Sequence, residues 1–270
     1  MKGTRRNCGI STADPGRSDS HDGGVRQSVT RTVAIVYAGF AYAAFVVAAL
    51  WAVGFLADLG APTSVDGPAR QPAWSALLVD AGLLLIFAVQ HSVMARAGVK
   101  RRLARIVPAP AERSTYVLAT SLVLGLLFWQ WQPVPAAVWR LGAPWAGVLW
   151  AVYALGWLIA VSATFMVDHL DFLGIRQARW RGPRTYQPPP FRERWLYAWV
   201  RHPMMLGLLI AFWATPRMTV GHLLFAAAGS GYIAVGLRFE ERDLYRQLGR
   251  TYRDYADRVP ALLPSSTHRV

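Results

Sequence analysis

Four long apolar runs, over residues 33–57, 73–95, 116–132 and 144–167, leave this chain few folds to choose from. A helix crosses the hydrocarbon layer of a bilayer with about 20 apolar residues. Inside that layer a helix satisfies its own backbone hydrogen bonds, whereas a loop does not. The runs therefore predict an all-α, polytopic integral membrane protein. Composition agrees, since 54% of the 270 residues are hydrophobic and only 16% are charged. A further apolar pair follows, 195–215 and 219–237, separated by Pro216 and Arg217. The second arm is cleanly apolar. The first contains Arg201 and Pro203, and a proline disfavours helix at the residue before it, so its apolar part is short enough for a half-span or a kinked helix. About five or six transmembrane helices are expected, ending in a C-terminal helical hairpin and a cytoplasmic tail.

The basic residues predict an orientation. The net charge is +14, but Lys and Arg sit in short segments beside apolar runs, which is the pattern of membrane orientation signals. Nucleic acid is therefore not an expected partner, whereas the lipid bilayer is. Three junctions hold the charge. Lys2, Arg5, Arg6, Arg17, Arg26 and Arg31 precede the first run, and Arg96, Lys100, Arg101, Arg102, Arg105 and Arg113 follow the second. Arg176, Arg179, Arg181, Arg184, Arg192, Arg194 and Arg201 follow the fourth, while the intervening loops hold Arg70 and Arg140. Because Lys and Arg accumulate on the cytoplasmic side, the chain is expected as a multi-pass protein of the cell (inner) membrane with both termini in the cytoplasm. Residues 1–31 are rich in Gly, Ser, Asp and Arg and lack apolar periodicity. They are expected to form a disordered basic tail ahead of one membrane-embedded domain over 32–270. The run at 33–57 is too long for a signal-peptide core of about 7–15 residues. The single Cys8 excludes an internal disulfide framework and a multi-cysteine metal site. No metal and no obligate protein partner are expected.

Ionisable groups gather at three places. At the C-terminal end stand Arg201-His202-Pro203, Gly207, Glu240-Glu241, Tyr252, Tyr255 and Val259-Pro260. Charges bordering an apolar segment are costly unless they bind something. Arg201 reads either as a membrane-edge anchor or as a fork for a carboxylate. Glu240 and Glu241 read as a solvated helix face or as the counter-charge of a cation. Tyr252 and Tyr255 read as interfacial aromatics or as ligand contacts, and Gly207 as a close approach for a ligand or a neighbouring helix. The second place is Asp80 with Gln90-His91-Ser92. Eleven positions put Asp80 and His91 about 20° apart on one helix face, a functional-site hypothesis for a membrane helix that competes with an interfacial histidine and a structural aspartate. The third is Asp168-His169-x-Asp171-x-x-Gly174-x-Arg176-Gln177, which reads as groups that polarise or cover a substrate, or as a helix end and solvated turn. Metal binding is the weaker reading there, because helix spacing turns His169 about 100° away from Asp168. Trp150 and Trp157, with Met205 and Trp213, read as walls of a small apolar cavity or as an interfacial belt.

The C-terminal pattern, from Arg201-His202-Pro203-x-x-x-Gly207 through Glu240-Glu241 to Tyr252 and Tyr255, resembles the cofactor motif of membrane methyltransferases related to isoprenylcysteine carboxyl methyltransferase and the phospholipid methyltransferases. Together with Gln90-His91-Ser92, Ala95-Arg96 and the Asp168 to Gln177 pattern, it is similar to the bacterial methanethiol S-methyltransferase branch, related to NnrU proteins, over about residues 33–264. Met204 stands where an aromatic is typical.

The resemblance implies S-adenosylmethionine as cofactor, with Arg201, His202, Pro203, Gly207, Glu240, Glu241, Tyr252 and Tyr255 around it. It also implies methylation of a small thiol, methanethiol, to dimethyl sulfide. A small alkyl thiol is mostly protonated at pH 7, since even cysteine titrates at about 8.5, and burial raises that further. A base is therefore useful: His91 first, oriented by Asp80 or Asp168, and His169 second. Gln90, Trp150, Trp157, Arg176, Met205 and Trp213 are the expected substrate contacts. Two alternatives remain. One is methylation of a lipid amine or a prenylcysteine carboxylate. The other is a non-enzymatic NnrU-like or haem-binding protein with His91, His169 or His202 as axial ligands.

Overall fold

Each apolar run is helical in the computed structural model, and prolines mark where several of the helices begin or end. The structure describes residues 19–180, 193 and 195–263. The tail through residue 18 and Arg181, Arg184, Arg192 and Arg194 thus lie outside the described residues. Helix α1 (Asp19–Ala57) starts well upstream of the apolar run it contains. Helix α2 (Ala73–Ala95) begins after Pro72 and leads into a short basic helix, α3 (Ala97–Leu103). Helix α4 (Glu112–Gln130) ends just ahead of Pro133, which neither donates to a helix nor lets its predecessor stay helical. Strand β1 (Ala137–Arg140) precedes α5 (Trp145–Val167), which opens after Pro144. Two short helices follow, α6 (His169–Phe172) and α7 (Ile175–Arg179). Helix α8 (Pro203–Trp213) carries Pro203 at its first position, where the missing N–H costs nothing and the fixed φ suits the helix. Strand β2 (Arg217–Thr219), α9 (Val220–Leu248) and α10 (Arg250–Arg258) complete the chain.

Four helices are long and apolar enough to cross a membrane: α1 from Thr32, α2, α5 up to Met166, and α9. The protein is thus a multi-pass, all-α membrane protein. Helix α4, 19 residues long, packs against α1 and α2. Helix α8 has 11 residues and rises only about 17 Å, roughly half of the ~30 Å apolar layer, which is the expected half-span. An extended stretch completes its return. There β2 pairs antiparallel with β1, Ala137 opposite Thr219 and Arg140 opposite Arg217. Leu141 N–H donates to the Pro216 carbonyl (2.8 Å) and Val220 N–H to that of Ala136 (2.9 Å). These bonds occupy backbone groups that lipid cannot satisfy. The little sheet was not expected from sequence, because strands of four and three residues are too short to show an alternation.

Helix α8 lies directly on α5. A Cβ on Gly207 would stand 2.5 Å from both the Ala160 nitrogen and the Gly156 carbonyl oxygen, and one on Gly156 2.8 Å from the Gly207 oxygen. Small residues on both helices thus let the two backbones touch.

The bundle has two unlike ends. Beside the sheet, Phe55, Leu127, Phe128, Trp131, Tyr153 and Phe225 form an aromatic core. A buried polar lock joins it: Thr219 Oγ1 donates to Asp66 Oδ1 (2.6 Å), and His222 Nδ1 lies 3.2 Å from Asp66 Oδ2. His222 Nε2 lies 3.1 Å from the Phe212 carbonyl, an acceptor only, so Nε2 carries a proton. The lock ties the loop after α1 to the start of α9. At the other end, α2 passes into α3 and α5 into α6, and α10 lies beyond α9. This is the basic end.

Candidate active site

His91, one turn from the end of α2, is enclosed by α4 and α9. The Tyr116 hydroxyl lies 2.9 Å from His91 Nε2 and 3.0 Å from Nδ1, and Thr120 Oγ1 lies 3.4 Å from Nδ1. The imidazole stacks on Phe87 (5.4 Å, 25°) and meets Tyr232 edge-on. Tyr232 in turn shares a 3.1 Å hydrogen bond with Ser92. Gln90 Nε2 reaches Thr120 Oγ1 (3.5 Å) and Met94 Sδ (3.1 Å), while its buried Oε1 has no hydrogen-bond partner among the described residues. An imidazole with a phenol at hydrogen-bond distance and an aromatic floor can accept a proton and pass it on. Tyr116, Thr120 and Tyr232 were not read from sequence. The only local signal was the one-turn spacing of Tyr116 and Thr120, and nothing in the sequence links that turn to His91.

Asp80 cannot orient His91, contrary to expectation. It is fully buried, and its Oδ1 accepts from the Gln132 N–H at 2.8 Å, just past the end of α4. Eleven residues share an azimuth on a helix but stand about 16 Å apart along it. Asp168 does not reach His91 either. It sits in the left-handed region (φ 88), accepts from the Asp171 N–H at 3.1 Å and is ion-paired with Arg176. That pairing engages Arg176, expected as a substrate contact. Asp171 holds Arg113 (2.6 Å), bracing the start of α4. Gly174 (φ +84) packs so near Ser114 that a Cβ would come 2.9 Å from its nitrogen. His169 has Thr164 Oγ1 at 2.8 Å on Nδ1 and Tyr42 hydroxyl at 3.2 Å on Nε2, and stacks on Phe165 at 4.2 Å. Burial holds its pKa below the usual histidine value, with Asp168 pulling the other way. Among the described residues, no hydrogen bond joins Asp168 or His169 to His91.

The C-terminal motif closes into a clasp. Arg201 donates from Nε (2.8 Å) and Nη2 (2.5 Å) to Glu241 Oε1, and from Nη1 to the carbonyls of Ala256 (3.0 Å) and Val259 (2.5 Å). These bonds engage four of the five guanidinium donors, so the two-pronged grip on a bound carboxylate expected of Arg201 is not offered in this arrangement. The backbone N–H groups of Arg201 and His202 donate to Pro260 and Ala261. His202 is buried, with Nε2 3.3 Å from Glu241 Oε1 and Nδ1 3.7 Å from Glu240 Oε2. Tyr252 and Tyr255 are buried with Val259, and the Tyr255 hydroxyl donates to the Tyr197 carbonyl at 2.6 Å. Burial, with Glu241 alongside, pushes Tyr252 up to about 12, so this phenol keeps its proton. Gly207 serves the contact with α5, and Pro203 is buried at the start of α8.

One helix connects these groups. Tyr232 of α9 meets His91, Phe239 lies under the Arg96 guanidinium (4.8 Å), and Glu240 and Glu241 meet His202 and Arg201. From Tyr232 to Glu241 the rise is about 14 Å. Trp150 and Trp157 belong elsewhere: they flank Tyr153 at 5.5 and 6.3 Å and pack on the aromatic core, with no ring contact to His91 among the described residues. Trp213 donates to Ser230 Oγ at 2.9 Å, and Met205 is half-buried on α8. A sulfonium cofactor with an ammonium and an adenine fits part of this set. Glu240, half exposed and bound only loosely to His202, is a ready counter-charge, and Phe239 offers an aromatic face. Among the described residues no group of three His, Cys, Asp or Glu side chains is placed to hold a metal.

An all-α membrane bundle that sets a cluster of ionisable side chains at its basic end, along α2 and α9, has the build of a membrane-embedded binding or catalytic protein. The chain belongs to the NnrU protein family, matching it over residues 80–236. It is 49% identical, over 87% of its own length and 97% of the relative's, to the methanethiol S-methyltransferase of Mycobacterium tuberculosis. It is 50% identical to methanethiol S-methyltransferase 2 of Bradyrhizobium diazoefficiens, over 87% of this chain and 91% of that one. With the methanethiol S-methyltransferase of a Pseudomonas species it shares 46%, over 85% and 89%. No solved structure matches.

Proposed function

We propose that this protein transfers a methyl group from S-adenosylmethionine to methanethiol, giving dimethyl sulfide. The observation that carries this reading is similarity over nearly the full length of relatives bearing that name. S-adenosylmethionine supplies a methyl carbon already activated by its sulfonium. Glu240 and Glu241 offer the negative charge for its cationic end, Phe239 an aromatic face, and Arg201 fixes Glu241 in place. His91 takes the thiol proton as the thiolate forms its bond to the methyl carbon, with Tyr116 as the hydroxyl that orients the ring. The residual burden on the protein is alignment, which contributes roughly 7–11 kcal/mol in favourable cases. The basic end faces the cytoplasm, where a polar cofactor is available.

The purified protein, given S-adenosylmethionine with a labelled methyl group and a panel of methanethiol, phosphatidylethanolamine and a prenylcysteine, should place label in dimethyl sulfide. Label in the lipid amine or the prenylcysteine ester, with none in dimethyl sulfide, overturns the assignment.

A further inference from the structure

At the basic end, α3 and the turn after it border an open cavity of about 500 Å³ lined by Arg96, Gly98, Val99, Arg101, Arg102 and Arg105, the four arginines exposed. None of these is acidic. Among the described residues, no ion pair engages any of the four arginines. Four guanidiniums around one space repel one another unless an anion sits between them, and the arginine fork matches phosphate oxygens better than any other common anion except a carboxylate.

Position narrows the anion. The spanning helix α2 ends at Ala95, next to the first lining residue, so the cavity opens where a bilayer's phosphates lie. Ile106, the residue after Arg105, is 83% exposed. An apolar side chain held out beside such a basic cluster suits the boundary of headgroups and acyl chains and not open water. We propose that this cavity binds the phosphate headgroup of an anionic phospholipid. The Arg96 guanidinium lies over Phe239, immediately before Glu240, so an occupied cavity braces the junction between α2 and α9.

The full-length protein in an uncharged detergent tests this by its thermal unfolding midpoint with added phosphatidylglycerol, phosphatidylcholine or inorganic phosphate. Phosphatidylglycerol should raise the midpoint where phosphatidylcholine and inorganic phosphate do not. Arg101→Gln with Arg105→Gln should lose most of that rise. Arg250→Gln with Arg253→Gln, which removes two exposed charges from α10, should keep it. If the glutamine pair unfolds without lipid, Arg101→Lys with Arg105→Lys retains the charge but not the fork and should still show a weakened rise. An equal rise in all variants means general charge attraction, and a rise with inorganic phosphate alone means a free-anion site. Either result, or no rise in the unaltered protein, overturns the proposal.

Discussion

His91 and His169 lie near the same end of the bundle but in different company, and their neighbours assign them different tasks. His91 faces a phenol and a hydroxyl above an aromatic floor. If thiol deprotonation limits turnover, His91→Ala should lower kcat by roughly 10²–10⁴-fold at neutral pH. Cofactor affinity should hardly change, and the defect should shrink as pH rises and solvent supplies the thiolate. Loss of cofactor affinity and thermal stability at every pH would make the residue structural. His169 is held by Thr164, Tyr42 and Phe165, and burial disfavours its charged form. Its folded pKa thus lies below the unfolded value of about 6.5. As pH falls through that value the unfolded chain takes up a proton that the folded one refuses, so stability falls too. Unfolding midpoints between pH 8 and 5 should therefore decline less in His169→Gln than in the unaltered protein; parallel declines would refute this. The sequence put His91 ahead of His169 as the base, but could not show the neighbours that set the two apart. What separates them is Tyr116 and Tyr232, 25 and 141 positions from His91, and packing between helices leaves no trace in local spacing.

Helices were the most legible elements, since spanning length and proline positions are local properties. The pair α5 and α8 shows where that legibility stops. Gly207 read as a close approach of undecided partner, and the structure supplies Ala160 and Gly156 of α5. Gly207→Ala places a methyl group against backbone that has no room to rotate away, so it should destabilise by about 1–3 kcal/mol, the usual cost of overpacking. Gly82, inside α2 with nothing within 4 Å of a Cβ, makes the contrast. Gly82→Ala should be neutral or stabilising by up to ~1 kcal/mol, and thermal unfolding of both variants in one detergent compares them. Equal midpoints would mean that the α5–α8 contact yields more readily than its geometry implies. The β1–β2 pair was illegible for a different reason. It joins segments 77 to 82 positions apart, from Arg140 opposite Arg217 to Ala137 opposite Thr219, and its role is to satisfy the backbone of a return path that α8 is too short to complete.

Charge separates the two ends of the whole molecule. Arg96 to Arg105, Arg113, Arg176, Arg179, Arg201 and the arginines from Arg238 to Arg258 lie toward one end, whereas the end bearing the sheet holds Arg70, Arg140 and Arg217. Such a bias orients a multi-pass chain with its basic side in the cytoplasm. If α1, α2, α4, α5, the α8–β2 return and α9 each cross once, both termini fall on that side. The chain carries its own reporter, because Cys8 is its sole cysteine and precedes α1. A second reporter can be placed at Gly142, between β1 and α5, where a Cβ meets nothing within 4 Å. In intact spheroplasts, a membrane-impermeant maleimide should leave Cys8 unlabelled until the membrane is opened. The same reagent should label Gly142→Cys, on a Cys8→Ser background, at once. The opposite pattern would put the arginine clasp and the His91 cluster outside the cell, away from any S-adenosylmethionine. Labelling of both sites before opening would instead mean an even number of crossings between them, and α4 would then be the element that does not cross.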